Sequence, residues 1–360
     1  MVLSSSIAFA IALMASFALT WPVRQFALYA GFVDQPGARK VHLRPMPLLG
    51  GVAIYTGFVI AVAVTVPVAM RMEVVGILLG ATLLAVTGIL DDSGKLHHQV
   101  KLFVSMPLAA CILVAAGVRT QIFSQIVGGN AGTLLDIFLT VFWVVGITAA
   151  FSILDHMDGL CAGVAAVAAA FFTLSAALNG QRLVCTLAAA ALGASLGFLR
   201  WNFAPAKIFM GDGGAMFLGF LMATLGLKLR PTSPHPLVDW LMPVLILAVP
   251  IFDTTLISIS RSRRRMLPFT SPGKDHTAHR LSNLGFGHKG AVLGLYALGA
   301  VFGALGLALS RMSRLEITLL CGLLFLVGAI AVIALERSPY EDQRQPLNSS
   351  SPKEDLATMD

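Results

Sequence analysis

The sequence has 360 residues, of which 57% are hydrophobic and only 12% are charged, and its mean hydropathy is +0.83. Soluble domains carry about a quarter charged residues, so this composition excludes a soluble protein and indicates an integral membrane protein. The formal net charge of +7 favours anionic headgroups or anionic substrates. Basic stretches with interleaved aromatic residues are absent from the sequence, which argues against nucleic acid as a partner.

The apolar residues form separate runs, each long enough to cross a hydrocarbon core of about 30 Å as a helix. We therefore predict an all-α polytopic membrane protein with about 11 transmembrane helices. The runs 161–178 and 183–199 are separated by only four residues. They fit two spans joined by a tight turn, which we favour, or one re-entrant pair. The predicted spans are 5–21, 49–70, 74–90, 102–118, 132–153, 161–178, 183–199, 214–229, 238–256, 290–310 and 317–335.

The basic residues indicate how these spans are oriented. When the N-terminus is placed outside, alternate loops and the C-terminal tail hold 18 of the 25 Lys and Arg residues, and the positive-inside rule assigns those segments to the cytoplasm. We thus expect a multi-pass protein of the inner or plasma membrane. Residues 1–337 would form one transmembrane domain, and 338–360 a disordered cytoplasmic tail. The predicted cytoplasmic segments are 22–48, 91–101, 154–160, 200–213, 257–289 and 336–360.

The first cytoplasmic loop contains Lys40 and His42 and leads into Gly50 and Gly51. In one interpretation, this is a basic loop at the membrane surface that is broken by prolines and has no role in binding. In the functional interpretation, Lys40 and His42 reach phosphate groups, and the two glycines let the second span begin close to a ligand.

Asp91 and Asp92 close the third span. A helix C-terminus is electrostatically unfavourable for carboxylates, and adjacent carboxylates raise one another's pKa unless a cation intervenes. Mg²⁺ is a hard cation that prefers oxygen ligands. The pair therefore predicts a metal site, with Lys101 at the end of the same loop.

Asp155 and Asp158 lie three residues apart, and on a helical turn they would share one face. Gly159 would permit close approach of a ligand, so the pair predicts a binding role. The alternative is that Asp158 caps the N-terminus of the sixth span.

The segment from Asn202 to Gly214 brings Lys207 and Asp212 together with three glycines. A flexible backbone around one acid and one base suits a phosphate–metal site. As an alternative, Asp212 would serve as the N-cap of the eighth span.

The last large loop begins after Asp253 in the ninth span and contains an arginine run, 261–265, which the positive-inside rule explains as a topological signal. His276 and His279 follow. Their spacing is compatible with zinc, but no cysteine or third histidine lies suitably near in the sequence. Contact with a pyrophosphate is therefore the favoured interpretation.

Five ordered motifs together resemble those of the polyprenyl-phosphate N-acetylhexosamine-1-phosphate transferases. The resemblance is strongest to the WecA/TagO-like branch, which is related to the phospho-MurNAc-pentapeptide transferase MraY. It covers roughly residues 30–295, and each motif lies in a predicted cytoplasmic loop. The motifs read DQPGARKVH…P…GG, DDSGKLHHQVK, LDHMDGL, NFAPAKIFMGDGG and PIFD…R…KDHTAHRL.

The resemblance implies transfer of an N-acetylhexosamine 1-phosphate, in the first instance GlcNAc-1-phosphate, from a UDP-sugar to undecaprenyl phosphate, with UMP leaving. This is the first membrane step of a cell-envelope glycan. The resemblance also implies Mg²⁺, with Mn²⁺ as a substitute, an active site at the cytoplasmic face of the bilayer, and a homodimer.

Position by position, the resemblance implies catalytic roles for Asp91, Asp92 and Asp212, and metal binding by Asp92 and Asp212. The residues implied in nucleotide or sugar binding are Asp155, Asp158, Asn202, Lys207 and Phe209. The residues implied in phosphate binding are Lys40, His42, Lys101, His276, His279 and Arg280.

Three positions depart from the family pattern. Ala149 and Ser152 stand in place of two asparagines, and His156 stands in place of a glycine. Two amide hydrogen-bonding groups are thus missing, and we expect the nucleotide geometry to differ.

Other classes fit parts of the pattern. An MraY-like phospho-MurNAc-pentapeptide transferase would differ in its donor, and a homologue with weakened activity would bind without turnover. A polytopic transporter would place its coupling residues near the bilayer midplane, often in repeated halves, whereas these aspartates lie at predicted cytoplasmic ends. A covalent aspartyl-phosphate route also fits the carboxylates, and direct transfer between two phosphates ranks before it.

Overall fold

The computed structural model describes residues 2–35, 45–67, 71–96, 98–230, 236–266 and 273–338. The described chain is mainly α-helical, with one short antiparallel pair of strands, β1 (Val33–Asp34) and β2 (Met46–Pro47). Two π-helical segments, Lys101–Ser105 and Ser282–Phe286, precede α5 and α14. The helices are α1 Val2–Tyr29, α2 Gly50–Thr65, α3 Arg71–Asp92, α4 His98–Val100, α5 Met106–Ala115, α6 Phe123–Ile126, α7 Gly129–Leu154, α8 Leu160–Leu178, α9 Arg182–Asn202, α10 Asp212–Lys228, α11 Pro236–Ile246, α12 Ala248–Arg263, α13 Thr277–Leu281, α14 Gly287–Ala308 and α15 Arg314–Glu336.

The described helices confirm an all-α polytopic membrane protein. Within these ranges, seven helices are long and apolar enough to cross a membrane, and one bent pair raises the number to eight. The pair α8 and α9, for which a re-entrant hairpin was the alternative, consists of two helices that each meet this criterion. A helix overlaps every one of the eleven predicted apolar runs, although α2 and the helical stretch 101–115 are shorter. The predicted tail lies almost entirely outside the described residues.

The bent pair comprises Trp240–Ile246 and Ala248–Arg263, whose axes differ by 77°. Pro250 in the first turn of α12 has no N–H to donate to the carbonyl oxygen of Ile246, four residues earlier. A missing hydrogen bond of this kind is a common cause of a sharp bend. Asp253 follows one turn later on α12.

Two helices extend further than predicted, and a basic residue in each extension contacts a polar partner beside the helix. α1 continues through Pro22 to Tyr29, and the Nε of Arg24 donates to the carbonyl oxygen of Lys207 at 3.0 Å. α12 continues to Arg263, and Arg261 forms a buried ion pair described below.

Helix α10 occupies the centre of the protein. Its residues from Gly213 to Leu227 are buried, and it packs against α2, α3, α7, α8 and α9. A helix that is apolar on all sides is typical of a core position. In contrast, α15 exposes large apolar side chains such as Leu319, Phe325 and Ile330, as expected for a helix that faces lipid.

Glycines allow three helices to meet at the N-terminus of α10. A Cβ atom on Gly51 of α2 would lie 2.3 Å from the backbone nitrogen of Gly214, and one on Gly88 of α3 would lie 2.3 Å from that of Gly213. Close backbone packing therefore explains Gly51 and Gly88, and it also involves Gly213 and Gly214, for which the sequence predicted a flexible backbone. The N-terminus of α10 is thereby held between α2 and α3.

Candidate active site

Four aspartates at the ends of α3, α7 and α10 form what we call the acidic cluster: Asp91, Asp92, Asp155 and Asp212. Lys101, from the π-helical segment, lies between two of them. Its Nζ is 2.7 Å from the Asp91 Oδ2 and also contacts a carboxylate oxygen of Asp212. The side chains of Asp91, Lys101 and Asp212 are 16%, 19% and 20% exposed, so a small ligand can reach them.

Asp92 lies on the side of the acidic cluster that faces the N-terminus of α10. Its Oδ1 accepts a hydrogen bond from the backbone N–H of Asp212 at 3.1 Å. Gly211 adopts a φ of +75°, and a Cβ at that position would lie 2.5 Å from the Asp92 Oδ2. The positive end of the α10 dipole thus partly offsets the charge of Asp92. The sequence argument, which considered only the C-terminus of α3, had missed this contribution.

Asp212 is the first residue of α10, and Gly211 occupies the N-cap position in its place. The Asp212 Oδ1 accepts a hydrogen bond from the Ser152 Oγ at 2.9 Å, while Oδ2 faces Lys101. Its side chain therefore points to the acidic cluster instead of capping its own helix. Sequence reasoning identified Ser152 only as a departure from the family pattern and assigned it no contact.

Asp155 and Asp158 follow α7 and have separate surroundings. Burial raises the pKa of Asp155 to about 8, and the charges of Asp212, Asp92 and Asp158 raise it further in the same direction. Asp155 therefore lies within electrostatic reach of Asp212 and Asp92. The Oδ2 of Asp158 accepts a hydrogen bond from the backbone N–H of Ala206 at 2.9 Å. Gly159, and not Asp158, is the N-cap of α8.

Asn202 holds together two of the loops that carry the acidic cluster. Its Oδ1 accepts from the N–H of Gly159, and its Nδ2 donates to the carbonyl oxygen of Ile208, both at 3.0 Å. Asn202 is only 3% exposed. These contacts give Asn202 a positioning role, and its predicted contact with a nucleotide or sugar stays a prediction.

Lys207 and Phe209 flank the same loop. The Lys207 ammonium lies 5.7 Å from the centroid of the Trp201 ring, a cation–π contact. The backbone of Phe209 pairs with the segment before α2, donating to Pro47 at 2.9 Å and accepting from Gly50 at 3.0 Å. The predicted contacts of Lys207 and Phe209 with a nucleotide or sugar stay predictions. Lys40 and His42 lie outside the described residues.

A second group of side chains adjoins the acidic cluster, and we call it the histidine cluster: His156, His276, His279 and Asp253. The rings of His156 and His276 are stacked with their centroids 3.8 Å apart, and the His279 ring lies 4.9 Å from that of His156. Burial and the nearby His276 lower the pKa of His156 well below its ordinary value, so this ring is neutral at pH 7.

Asp253 is 2% exposed and is fixed by two hydrogen bonds. Its Oδ2 lies 3.0 Å from the His276 Nδ1, and its Oδ1 accepts from the backbone N–H of Thr277 at 2.7 Å. The sequence placed His276 and His279 together, but nothing in their spacing indicated that His156 joins them from 120 positions earlier.

Arg280 is fully buried, and its predicted contact with a phosphate stays a prediction. Its Nη2 lies 2.8 Å from both the Ser260 Oγ and a carboxylate oxygen of Glu336, and its Nη1 donates to the Leu335 carbonyl oxygen at 2.6 Å. The guanidinium therefore joins α13 to α12 and α15. The sequence could not distinguish this positioning role from ligand contact.

The arginine run on α12 is also structural in part. Asp275 accepts hydrogen bonds from Arg261, at 2.9 and 3.1 Å, and from Arg264. Burial opposes ionisation of Asp275, but the hydrogen bonds and charge of these arginines outweigh it and hold its pKa well below the usual range. The arginines thus anchor the segment that carries His276 and His279, in addition to the predicted role of the arginine run as a topological signal.

The acidic cluster has the donor chemistry that a hard divalent cation requires. Asp91, Asp92 and Asp212 supply carboxylate oxygens from two helix ends that are held close together, and Mg²⁺ prefers such ligands. Asp155 adds a further carboxyl group nearby. The residues present therefore fit a magnesium ion.

Comparisons with known proteins agree with this arrangement. The sequence profile of glycosyl transferase family 4 matches residues 74–230. The chain is 37% identical over 298 residues to a probable undecaprenyl-phosphate N-acetylglucosaminyl 1-phosphate transferase of Bacillus subtilis (strain 168), which covers 82% of each chain.

Two further relatives are similar over comparable lengths. A decaprenyl-phosphate N-acetylglucosaminephosphotransferase of Mycolicibacterium smegmatis is 33% identical, over 79% of this chain and 77% of the relative. An undecaprenyl-phosphate alpha-N-acetylglucosaminyl 1-phosphate transferase of Escherichia coli (strain K12) is 27% identical, over 79% and 78%.

Proposed function

The chain belongs to the polyprenyl-phosphate N-acetylglucosaminyl 1-phosphate transferases of glycosyl transferase family 4, and we propose that it transfers GlcNAc-1-phosphate from UDP-GlcNAc to undecaprenyl phosphate. UMP is the other product, and the reaction is the first membrane step of a cell-envelope glycan. The observation that carries the proposal is the meeting of Asp91, Asp92, Lys101 and Asp212 at the N-terminus of α10.

The reaction takes place at the cytoplasmic face of the inner or plasma membrane in this proposal. All residues of the acidic cluster lie at helix ends adjoining the segments that carry 18 of the 25 basic residues, and positively charged segments favour the cytoplasm. The proposal includes eleven spans and a homodimer. The seven or eight candidate spans within the described ranges and the additional short apolar helices are compatible with that number.

The metal is Mg²⁺, with Mn²⁺ as a substitute, and Asp92 and Asp212 would hold it with Asp91 beside them. When bound, it would neutralise negative charge on the diphosphate of the donor. Ser152 orients the Asp212 carboxylate through its hydrogen bond. The backbone N–H of Asp212 keeps the Asp92 carboxylate in place.

An oxygen of the lipid phosphate attacks the β-phosphorus of the UDP-sugar. A new P–O bond forms to the lipid, and the bond from the β-phosphorus to the bridging oxygen breaks, so that UMP leaves with that electron pair. Such phosphoryl transfers depend mainly on positioning and charge stabilisation. One of Asp91 and Asp92 orients the lipid phosphate and keeps it deprotonated.

Lys101 places its ammonium between Asp91 and Asp212, where a phosphate oxygen would approach. Asp155 and Asp158 lie on the side assigned to the nucleotide. His276 and His279, anchored through Asp275 and Arg280, contact the pyrophosphate. Lys40 and His42 are assigned to phosphate binding on the sequence alone.

The test uses detergent-solubilised protein with Mg²⁺, undecaprenyl phosphate and UDP-GlcNAc, and measures UMP release and lipid-linked sugar together. We expect both products in equal amounts, only with the lipid, and not with EDTA. Product formation with UDP-MurNAc-pentapeptide as the donor would instead indicate the MraY-like alternative. Folded protein that releases no UMP with any UDP-sugar would contradict the proposal.

A further inference from the structure

The histidine cluster contains a nitrogen-rich ligand set of which the proposed transfer reaction uses only His276. His156, His276 and Asp253 each offer one potential ligand atom, and these atoms lie within 4.8 Å of one another. The three residues come from the α7–α8 loop, from the segment before α13 and from α12. The fold therefore assembles a set that the sequence keeps far apart.

His156 has one ring nitrogen that is fixed and one that is not. Its Nδ1 lies 3.2 Å from the carbonyl oxygen of Ile153, and a carbonyl oxygen only accepts, so Nδ1 carries the proton. The Nε2 then presents a lone pair. This atom is buried and has no hydrogen-bond partner among the described residues, and an unsatisfied buried acceptor is unfavourable.

This tautomer is the one that metal-binding histidines commonly adopt. Such a histidine donates its second ring N–H to a backbone carbonyl or a carboxylate, which orients the ring. His156 makes this bond with Ile153, which leaves its Nε2 free to act as the ligand atom. Asp253 is held in turn by the N–H of Thr277, so the cluster is well ordered.

We propose that His156, His276 and Asp253 form a binding site for a divalent transition-metal ion of the zinc type, separate from the acidic cluster. Imidazole nitrogens with one carboxylate suit zinc, whereas Mg²⁺ prefers oxygen ligands. Three protein ligands leave a fourth position for water or for His279. Ligand atoms on a tetrahedral zinc ion lie about 3.4 Å apart, given Zn–N bonds of about 2.0–2.1 Å, so small side-chain rotations complete the site.

Occupation of this site would inhibit the enzyme. The proposed function uses His276 and His279 for the donor pyrophosphate, and a zinc ion bound to His276 removes that residue from the donor. This consequence rests on the proposed function, whereas zinc binding itself does not.

The test is a zinc titration of the full chain in detergent, after treatment with EDTA and desalting, in buffer with millimolar Mg²⁺ and without donor or lipid. Calorimetry measures zinc affinity, and Co²⁺ serves as an optical probe of the ligand geometry. We expect the wild type to bind one zinc ion per chain. The zinc affinity of His156→Ala should be at least tenfold weaker, and His156→Cys, which restores a zinc ligand, should retain binding. His288→Ala removes an exposed histidine of α14 and is the matched control.

Equal zinc affinity of the wild type and His156→Ala, with both proteins shown to be folded by their thermal unfolding, would overturn the site. An equal loss of zinc affinity in His288→Ala would do the same.

In the transferase assay, zinc should inhibit the wild type at concentrations at least tenfold lower than those that inhibit His156→Ala. Identical inhibition of the two proteins would overturn the inhibitory consequence. Because binding is measured without substrates, an inactive transferase would leave that result interpretable.

Discussion

The acidic cluster and the histidine cluster adjoin each other but differ in chemistry. Asp155 and His156 are neighbours in one loop, yet Asp155 lies among the charges of Asp212 and Asp92, whereas His156 stacks on His276. The acidic cluster offers oxygens that are partly open to solvent. The histidine cluster offers mainly nitrogens, and its Asp253 is almost fully buried.

One loop thus contributes side chains to two clusters whose chemistry favours different ligands. Hard oxygen ligands select Mg²⁺, and imidazole ligands select zinc and similar ions. In our proposals, the acidic cluster holds the metal that supports the reaction, and the histidine cluster holds a metal that would block it. The predictions below test this division of roles.

The largest effect is expected at the acidic cluster. Asp212→Asn, Asp91→Asn and Asp92→Asn should each lower kcat by about 10²–10³, because each removes a charge-stabilising contact. Steady-state UMP release measures this, and Glu316→Gln, at an exposed carboxylate far along the chain on α15, is the control. Near-normal activity of Asp212→Asn would contradict its metal assignment.

Ser152 should have a smaller effect because it acts through Asp212. Ser152→Ala removes one hydrogen bond to a carboxylate, and we expect kcat to fall about tenfold. Ser152→Asn supplies an amide donor at the same position and should retain more activity than Ser152→Ala. If Ser152→Ala were fully active, the orientation of Asp212 would not depend on this hydroxyl.

Arg280 should affect stability more than donor binding. Arg280→Ala leaves the mostly buried Glu336 carboxylate without its close ion-pair partner, a change that typically costs about 3–5 kcal/mol. The midpoint of thermal unfolding should fall. The KM for the donor, measured on the folded fraction, should change by less than about threefold. A tenfold change would correspond to about 1.4 kcal/mol of binding free energy. A large rise in KM with unchanged stability would instead indicate contact with a phosphate.

The smallest effect is expected from His156 in the absence of zinc. His156→Ala should change kcat by less than about threefold, because no role in the acidic cluster is assigned to it. For comparison, a tenfold loss corresponds to an activation free energy that is higher by about 1.4 kcal/mol. Transferase assays in zinc-free buffer with Mg²⁺ measure this. A loss as large as that of Asp212→Asn would remove the distinction between the two clusters.

Much of the acidic cluster could be predicted from the sequence. Charged residues are costly inside a bilayer, so aspartates in short breaks between apolar runs are readily identified. Their relative positions also follow in part, since the predicted orientation of the spans brings alternate loops to one side. The glycines near Asp212 were also identified, but their role in close helix packing needed the neighbouring backbones of α2 and α3.

The roles of other residues depended on long-range contacts. Asn202 and Arg280 have polar side chains typical of ligand binding, and only their burial and partners show that they join loops or helices. Ser152 gained a role through an oxygen 60 positions away in the sequence.

The sequence by itself determined the membrane class, the positions of the helices and the aspartates of the site, because hydropathy and the cost of buried charge are local properties of the chain. Tertiary structure decided which of these residues meet. The bend between α11 and α12, the core position of α10 and the anchoring of α13 bring His156 to His276 and Asp253. Pairings of this kind arise from packing between distant segments, and no local pattern in the sequence encodes them.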